Sequence, residues 1–571
     1  MAQQSEQRKA YEVIKDFKGL NTKSNRTTID KNEFAWIENA MPIGLGNVKI
    51  VPTVSNVANL SFSNTVVYLA SANINVTDYL IAVEQDGRCE YINLTSNTKG
   101  NIAPANTFTT GTQISQWKNE RVLFIDPTNG YKTWNGTNLV SVGSVANINI
   151  TAGGSGYTSA PNVAIGAPNE TGGVQATATA SVTGNVVTGI TLTERGTGYT
   201  SVPSVTISGG GGNGATANAT LFSQPGTAIQ SFSGRVWIAQ DRTVYYSASD
   251  KYNDFTSVSA GSITLTDATL HGVIVQLLSA NNFLYIFGDD SINVFSDVRV
   301  TTTGTTLFTN TNVSASVGTR LKYAVFPYFR SVLFMNEYGV YALVGSTTSK
   351  LSDSLDGIFP YIDFTQNVTA GQVLLNNILC AAFSFTYNDP AASPRVIQAV
   401  FFEKKWFLTS QGTLTWIDSA PFGGKVNLYG TSGTDLKRLY SDSTSNISST
   451  ITTALLPMGD PIRDKQALKF AFEATSPTDK VGTFNVTVDS ERGASPTYTV
   501  YNYITWYNNN LQTVGWINNS SASVVWVTGG YQLYKNDAQQ WGKYLGLTIS
   551  ATSPAWVLHG IEFEHELRAR F

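Results

Sequence analysis

The sequence predicts an all-β chain: a β-propeller with an inserted small β-domain and a C-terminal β-sandwich-like region. Three observations predict it. Charged residues are only 13% of the 571, while 49 Gly, 26 Tyr and 28 Phe stand among abundant Thr, Ser and Asn. Aromatic and β-branched side chains suit a pleated sheet, and Gly and Asn suit tight turns. Paired short apolar strands recur about every 40 to 50 residues, the period of four-stranded blades around an axis, for roughly six or seven cycles between residues 55 and 445. A different rhythm, carried by two copies of a Gly/Tyr motif, interrupts them over residues 146–222.

Residues 1–52 read as an extended or helical lead-in. The polar stretch 1–15 could form a short helix or none. Asp30 with Glu33 three residues on matches a capping box, with Asp in place of Ser or Thr, so a short helix is expected over EFAWIENA, residues 33–40.

Residues 53–145 and 223–445 carry the propeller hairpins. DYLIAVEQDGRCEYINL (78–94), SFSGRVWIAQDRTVYYSAS (231–249), SANNFLYIFGDDSINVFS (279–296) and YFRSVLFMNEYGVYALVG (328–345) each hold an apolar strand, a turn of Asp, Gly or Asn, and a second strand.

Within 146–222, GGSGYTSAPNVAI begins at Gly153 and RGTGYTSVPSVTI at Arg195. Gly154 and Gly156, and likewise Gly196 and Gly198, permit positive φ around a Ser or Thr. Tyr157 and Tyr199 are the large side chains available to cover a core of Ala, Val and Ile, and Pro161 and Pro203 hold the next strand extended. Both tyrosines read first as buried staples, with ligand contact as the alternative. The segment is expected to be a β-domain inserted in a loop, where added length costs little. Residues 446–571 switch to longer alternating strands suited to a β-sandwich; Ile561 and Phe563 should face in, Glu562 and Glu564 out.

The sequence offers no recognisable catalytic, cofactor-binding or metal-binding residue, and the chain is not expected to be an enzyme. Cys89 and Cys380 each sit in an apolar run and read as buried free thiols. His271, His559 and His565 are the three histidines, none in a nucleophile motif. GGGG at 209–212 leads into a strand and lacks the helix N-terminus that phosphate binding uses. Asp289, Asp290, Asp435 and Asp442 read as turn carboxylates before calcium ligands, since their spacing is irregular. DPTNGYKTW (126–134) resembles the Asp-box turn of sialidases, S-x-D-x-G-x-T-W, with its Gly one position out of place and no second copy. Such boxes are structural turns. A net charge of −3 without a long Lys/Arg run argues against sequence-specific nucleic-acid binding. The first residues lack the apolar segment of an export signal, and no 18-residue apolar stretch occurs, so a protein made in the cytosol with no membrane anchor is expected. The N-x-S/T triplets at Asn75, Asn93, Asn135 and Asn485 then read as chance.

Three regions carry a resemblance. DFKGLNT followed by IDKNEFAWIENAMPIGLGNVKIVP, residues 16–52, resembles the start of tail nozzle, or tail stabilisation, proteins of short-tailed bacteriophages. SFSGRVWIAQDRTVYYSASDKYNDFT, residues 231–256, is similar to a blade of those proteins, with its Arg-Val-Trp strand, Val-Tyr-Tyr-Ser strand and Asp-Phe turn. The Gly/Tyr repeats look like modules of phage tail proteins. The resemblance implies a structural virion protein, assembled in the host cytoplasm, that forms a homohexameric ring on the head-to-tail adaptor. Genomic DNA would pass through its channel without sequence-specific binding, and tail fibres or spikes are further implied partners. The alternative reading is a carbohydrate-binding or carbohydrate-cleaving tail propeller that recognises the host.

Overall fold

Two burial patterns organise the strands. In Thr483–Ser490, Phe484, Val486 and Val488 are buried while Asn485 faces out, the period of two expected where one face of a sheet meets a core. By contrast Arg121–Asp126, Phe283–Phe287 and Ser331–Asn336 are buried almost continuously. A neighbouring sheet covers both of their faces. The computed structural model describes residues 9–568 except 45, 267–269, 315, 478–480, 505, 511 and 521–522. Among the described residues the chain is all-β, its only helical segments being the single 3-10 turns Asp353–Leu355 and Phe359–Tyr361.

Four-stranded antiparallel units span residues 66–103, 113–141, 228–264, 276–314, 325–350 and 369–409, here called blades one to six. The seventh consists of Trp416–Phe422, Lys425–Ser432 and Asp435–Asp442, with Thr53–Ser61 as its outer strand. First strands of successive blades touch in order, and Trp416–Phe422 returns to touch Val66–Ile74. The ring therefore closes as a propeller does, through an early strand joining a late sheet. First strands have a free backbone edge, which must find partners. Neighbouring blades supply them: Ser71 N donates to Asp418 Oδ2 at 2.6 Å, Asn73 N to Gln116 Oε1 at 2.9 Å and Ser231 N to Ser115 Oγ at 3.2 Å.

Blade six does not end at its fourth strand. Glu33–Glu38 pairs parallel with Lys405–Thr409 at Glu38↔Leu408 and antiparallel with Ile447–Thr453 on its other side. The blade thereby continues into the C-terminal sheets. This corrects the expected helix over 33–40. The capping contact itself forms, Asp30 N donating to Glu33 Oε2 at 3.1 Å, but it closes a turn in which Glu33 N donates to the Asp30 carbonyl. Two waiting sheet edges outweigh a weak helical propensity. Residues 10–14 are likewise a strand, paired with Val557–Leu567; residues 1–8 of the polar lead-in lie outside the described residues.

The C-terminal region stacks two sheets. One contains Lys465–Ser476, Gly530–Gly542 and Val557–Leu567; the other Ile447–Thr453, Thr483–Ser490 and Leu545–Ser553. Phe472, Phe484, Tyr534 and Trp556 pack between them with ring centroids 5.0 to 5.5 Å apart. Ile561 and Phe563 are buried there.

Between blades two and three, strands from Ser144–Ser155 to Asn213–Phe222 form a unit with its own apolar cluster, including Val145, Ile165, Ala176 and Tyr199. Gly154, Gly156, Gly196 and Gly198 all have positive φ, between 65° and 80°. Tyr199 Oη accepts from Ala176 N and donates to the Gly166 carbonyl, both at 2.9 Å, and Tyr157 Oη accepts from Ala215 N at 3.3 Å. Both tyrosines are buried staples. The GGGG turn packs on the first of them: a side chain at Gly212 would meet the Ser155 carbonyl and the Tyr157 ring.

Candidate functional site

The hairpin tip FGDDS of blade four lies beside the tip MNEYG of blade five. Their turns, with the connections before and after blade four, enclose a cleft of about 340 Å³ lined by His271, Asp289, Asp290, Arg320, Glu337 and Tyr338. Hydrogen bonds hold the turns together: Gly288 N donates to the Ser291 carbonyl, Thr319 N to the Gly288 carbonyl, and the Asn336 side-chain Nδ2 to the Gly318 carbonyl. Gly318 is required by this approach, since a Cβ there would lie 2.3 Å from the Gly288 oxygen.

Two ion pairs lie in the cleft. His271 Nδ1 is 3.0 Å from Asp290 Oδ2, and Arg320 Nε is 3.3 Å from Asp289 Oδ2. The histidine hydrogen bond holds the Asp290 carboxyl below the ordinary range. Glycosidic cleavage uses one carboxyl kept protonated near neutrality, and among the described residues the carboxyls raised toward neutrality, Glu84 and Asp418, lie elsewhere. Glu84, in blade one, is pushed up to about 7 by burial and by Glu90. Asp418, on the first strand of blade seven, is pushed up to about 6 by burial. Tyr338, 74% exposed, lies at the lip of the cleft.

The other residues singled out by sequence are scattered. Cys89 and Cys380 are buried and free; burial pushes the Cys380 thiol up to about 12. His559 Nε2 meets Thr475 Oγ1 at 2.7 Å in the C-terminal sandwich, and His565 is buried there. Asp126, first residue of the Asp-box-like stretch, accepts from Thr128 N, Asn129 N and Thr112 Oγ1 at 2.7 to 2.8 Å, a structural turn. Asp442 likewise accepts from Thr444 N at 2.8 Å. Among the described residues no three His, Cys, Asp or Glu side chains gather as a metal site requires. Arg320, Glu337 and Tyr338 escaped the sequence reading. The available signal was that the DD and NEY tips occupy the same position in consecutive hairpins, so a closed ring must set them side by side.

No protein-family model matches the chain, and no curated protein does. Among solved structures it is similar to Raptor of Chaetomium thermophilum, with a TM-score of 0.35 and 11% identity. That match covers 69% of this chain and 30% of the other, so the chain spans less than a third of that protein's length.

Proposed function

We propose that the chain is a structural subunit of a short-tailed bacteriophage tail, forming the nozzle ring that extends the DNA exit channel below the portal adaptor. The observation that carries this reading is the residue-level resemblance over 16–52 and 231–256. Both stretches hold the fold together, as a structural role favours. The first bridges blade six to the C-terminal sheets. In the second, Arg235 is buried and donates to the carbonyls of Ser247 and Ser259 at 2.5 and 2.7 Å, joining three parts of blade three. A homohexamer on the adaptor ring is the expected assembly, with DNA sliding past a surface poor in charge. The test is light scattering of the purified chain with and without adaptor rings. Ring formation or incorporation supports the reading; a stable monomer at high concentration that ignores the adaptor overturns it.

The cleft favours a second reading, host recognition through carbohydrate, because the exposed Tyr338 borders it beside the polar groups of His271, Asp289, Asp290 and Arg320. A glycan array and a polysaccharide-degradation assay decide it, and silence in both retires it.

A further inference from the structure

From Gly493 to Tyr534 the sequence contains no Asp, Glu, Lys, Arg or His. Within that stretch a stem pair, Tyr503–Ile504 with Trp526–Val527, encloses two short hairpins, Trp506–Tyr507 with Thr513–Val514 and Trp516–Ile517 with Ser523–Val524. At the base of this arm Thr528 N donates to the Asn502 carbonyl at 2.7 Å. Its large side chains are exposed: Trp506 49%, Trp516 52%, Ile517 68% and Trp526 61%. Successive strand residues face opposite sides. Trp516 and its partner Val524 therefore lie on one side of the inner hairpin and Ile517 on the other, leaving apolar groups open on both, and Ile504 and its partner Trp526 are exposed on the stem.

We infer that this arm is a lipid-binding element that seats in the interfacial layer of a bilayer. Scattered exposed apolar residues need no explanation, but a contiguous set rimmed by polar groups marks an interaction site. A flat protein surface would cover one face of a hairpin, whereas the headgroup and upper acyl layer surrounds an inserted arm on both. Trp and Tyr favour that layer, where the ring is in apolar surroundings and its N–H or O–H meets water. Asn508, Asn510, Asn518, Asn519 and Ser520 make the turns polar. An open hairpin has unpaired backbone edges, so it sits at the interface and does not span the hydrocarbon. Among the described residues no helix is long and apolar enough to cross a membrane either. Because the arm carries no cation, its affinity should not depend on anionic lipid. The inference rests on the arm alone and stands apart from the tail reading.

The test is sedimentation of the full chain with phosphatidylcholine vesicles, together with quenching of its tryptophan fluorescence by brominated phosphatidylcholine. Binding is expected. Replacing Trp506, Trp516 and Trp526 by Ser should lower the bound fraction by at least about tenfold, since interfacial aromatics carry the affinity. These side chains are exposed, so the variant should melt like the parent; a second variant with residues 503–527 replaced by a short Gly-Ser turn gives the same readout if the first is unstable. Absence of binding to phosphatidylcholine, or binding that survives both variants, overturns the inference. So does a parent that binds no vesicles but self-associates in light scattering through these tryptophans, which would make the arm a contact between copies of the chain.

Discussion

Arg195 Nε lies 2.7 Å from Asp254 Oδ1. The arginine opens the second copy of the Gly/Tyr motif, and the aspartate belongs to the Asp-Phe turn of blade three. One largely buried ion pair thus fastens the inserted domain to the ring. The arginine also donates to the carbonyls of Val145 and Ala146, and the carboxylate accepts from Thr256 N and Ser257 N. Asn253 Nδ2 adds a bond to the Gly196 carbonyl at 2.8 Å.

Removing either partner should loosen the insert without unfolding the ring. For Arg195→Ala or Asp254→Asn we expect about 2–3 kcal/mol less protection of amides in 144–222 and 248–257, since the remaining partner is left mostly desolvated. Hydrogen exchange checks it; unchanged protection would show that the Asn253 bond and the strand connections suffice.

The same pair sets an acid limit. Burial works against the Asp254 carboxylate, but the Ser257 hydroxyl and the Arg195 guanidinium hold it below the ordinary range. Its folded value is the lower one, so its contribution is present above the unfolded value and is lost as pH falls through the folded value. The insert should loosen in acid in the parent, and Asp254→Asn should flatten that dependence in hydrogen exchange.

Glu84 behaves in the opposite sense. It is buried in blade one near Glu90, which is itself held by Ser63 and Lys99 at 2.7 to 3.1 Å. Burial first, and Glu90 next, raise the Glu84 carboxyl. Stability that rests on neutral Glu84 is full below its unfolded value and is lost as pH rises through about 7. The melting temperature should therefore fall between about pH 5 and about pH 8, and Glu84→Gln should remove that part of the slope. An unchanged slope in thermal melts contradicts the assignment.

Trp237 ties blade three to blade four. It is fully buried, with ring centroids 5.7 Å from Phe295 and 5.5 Å from Phe308, and its Nε1 donates to the Phe232 carbonyl at 2.9 Å. Trp237→Ala should cost about 3–5 kcal/mol by cavity formation and lost burial. Denaturant unfolding measures it; a cost near that of a surface substitution would mean the blades repack across the gap.

The cleft between blades four and five gives the last prediction. Tyr338→Ala removes an exposed ring and should leave the unfolding free energy within about 0.5 kcal/mol of the parent's. If the cleft holds carbohydrate, the variant loses glycan binding while keeping its fold. Retained binding would place the ligand elsewhere.

Much of this was legible in the sequence wherever it depended on neighbours in the chain. Alternation and Asn/Gly turns determined that residues such as 279–296 and 328–345 form hairpins and that the chain is all-β. The spacing of Gly154, Gly156 and Tyr157, and of Gly196, Gly198 and Tyr199, determined turns with positive φ over a buried ring, because φ preference and side-chain volume are local properties. Tertiary structure alone decided what those local signals leave open. Glu33–Glu38 carries a helix-start pattern yet becomes a strand, since sheet edges hundreds of residues away offer it hydrogen bonds on both sides. Thr53–Ser61 closes the ring against Asp435–Asp442, and His271 finds Asp290 only because adjacent blades bring their tips together. Strand pairing joins residues through space, and a periodic pattern states which face is apolar but not which distant strand will cover it.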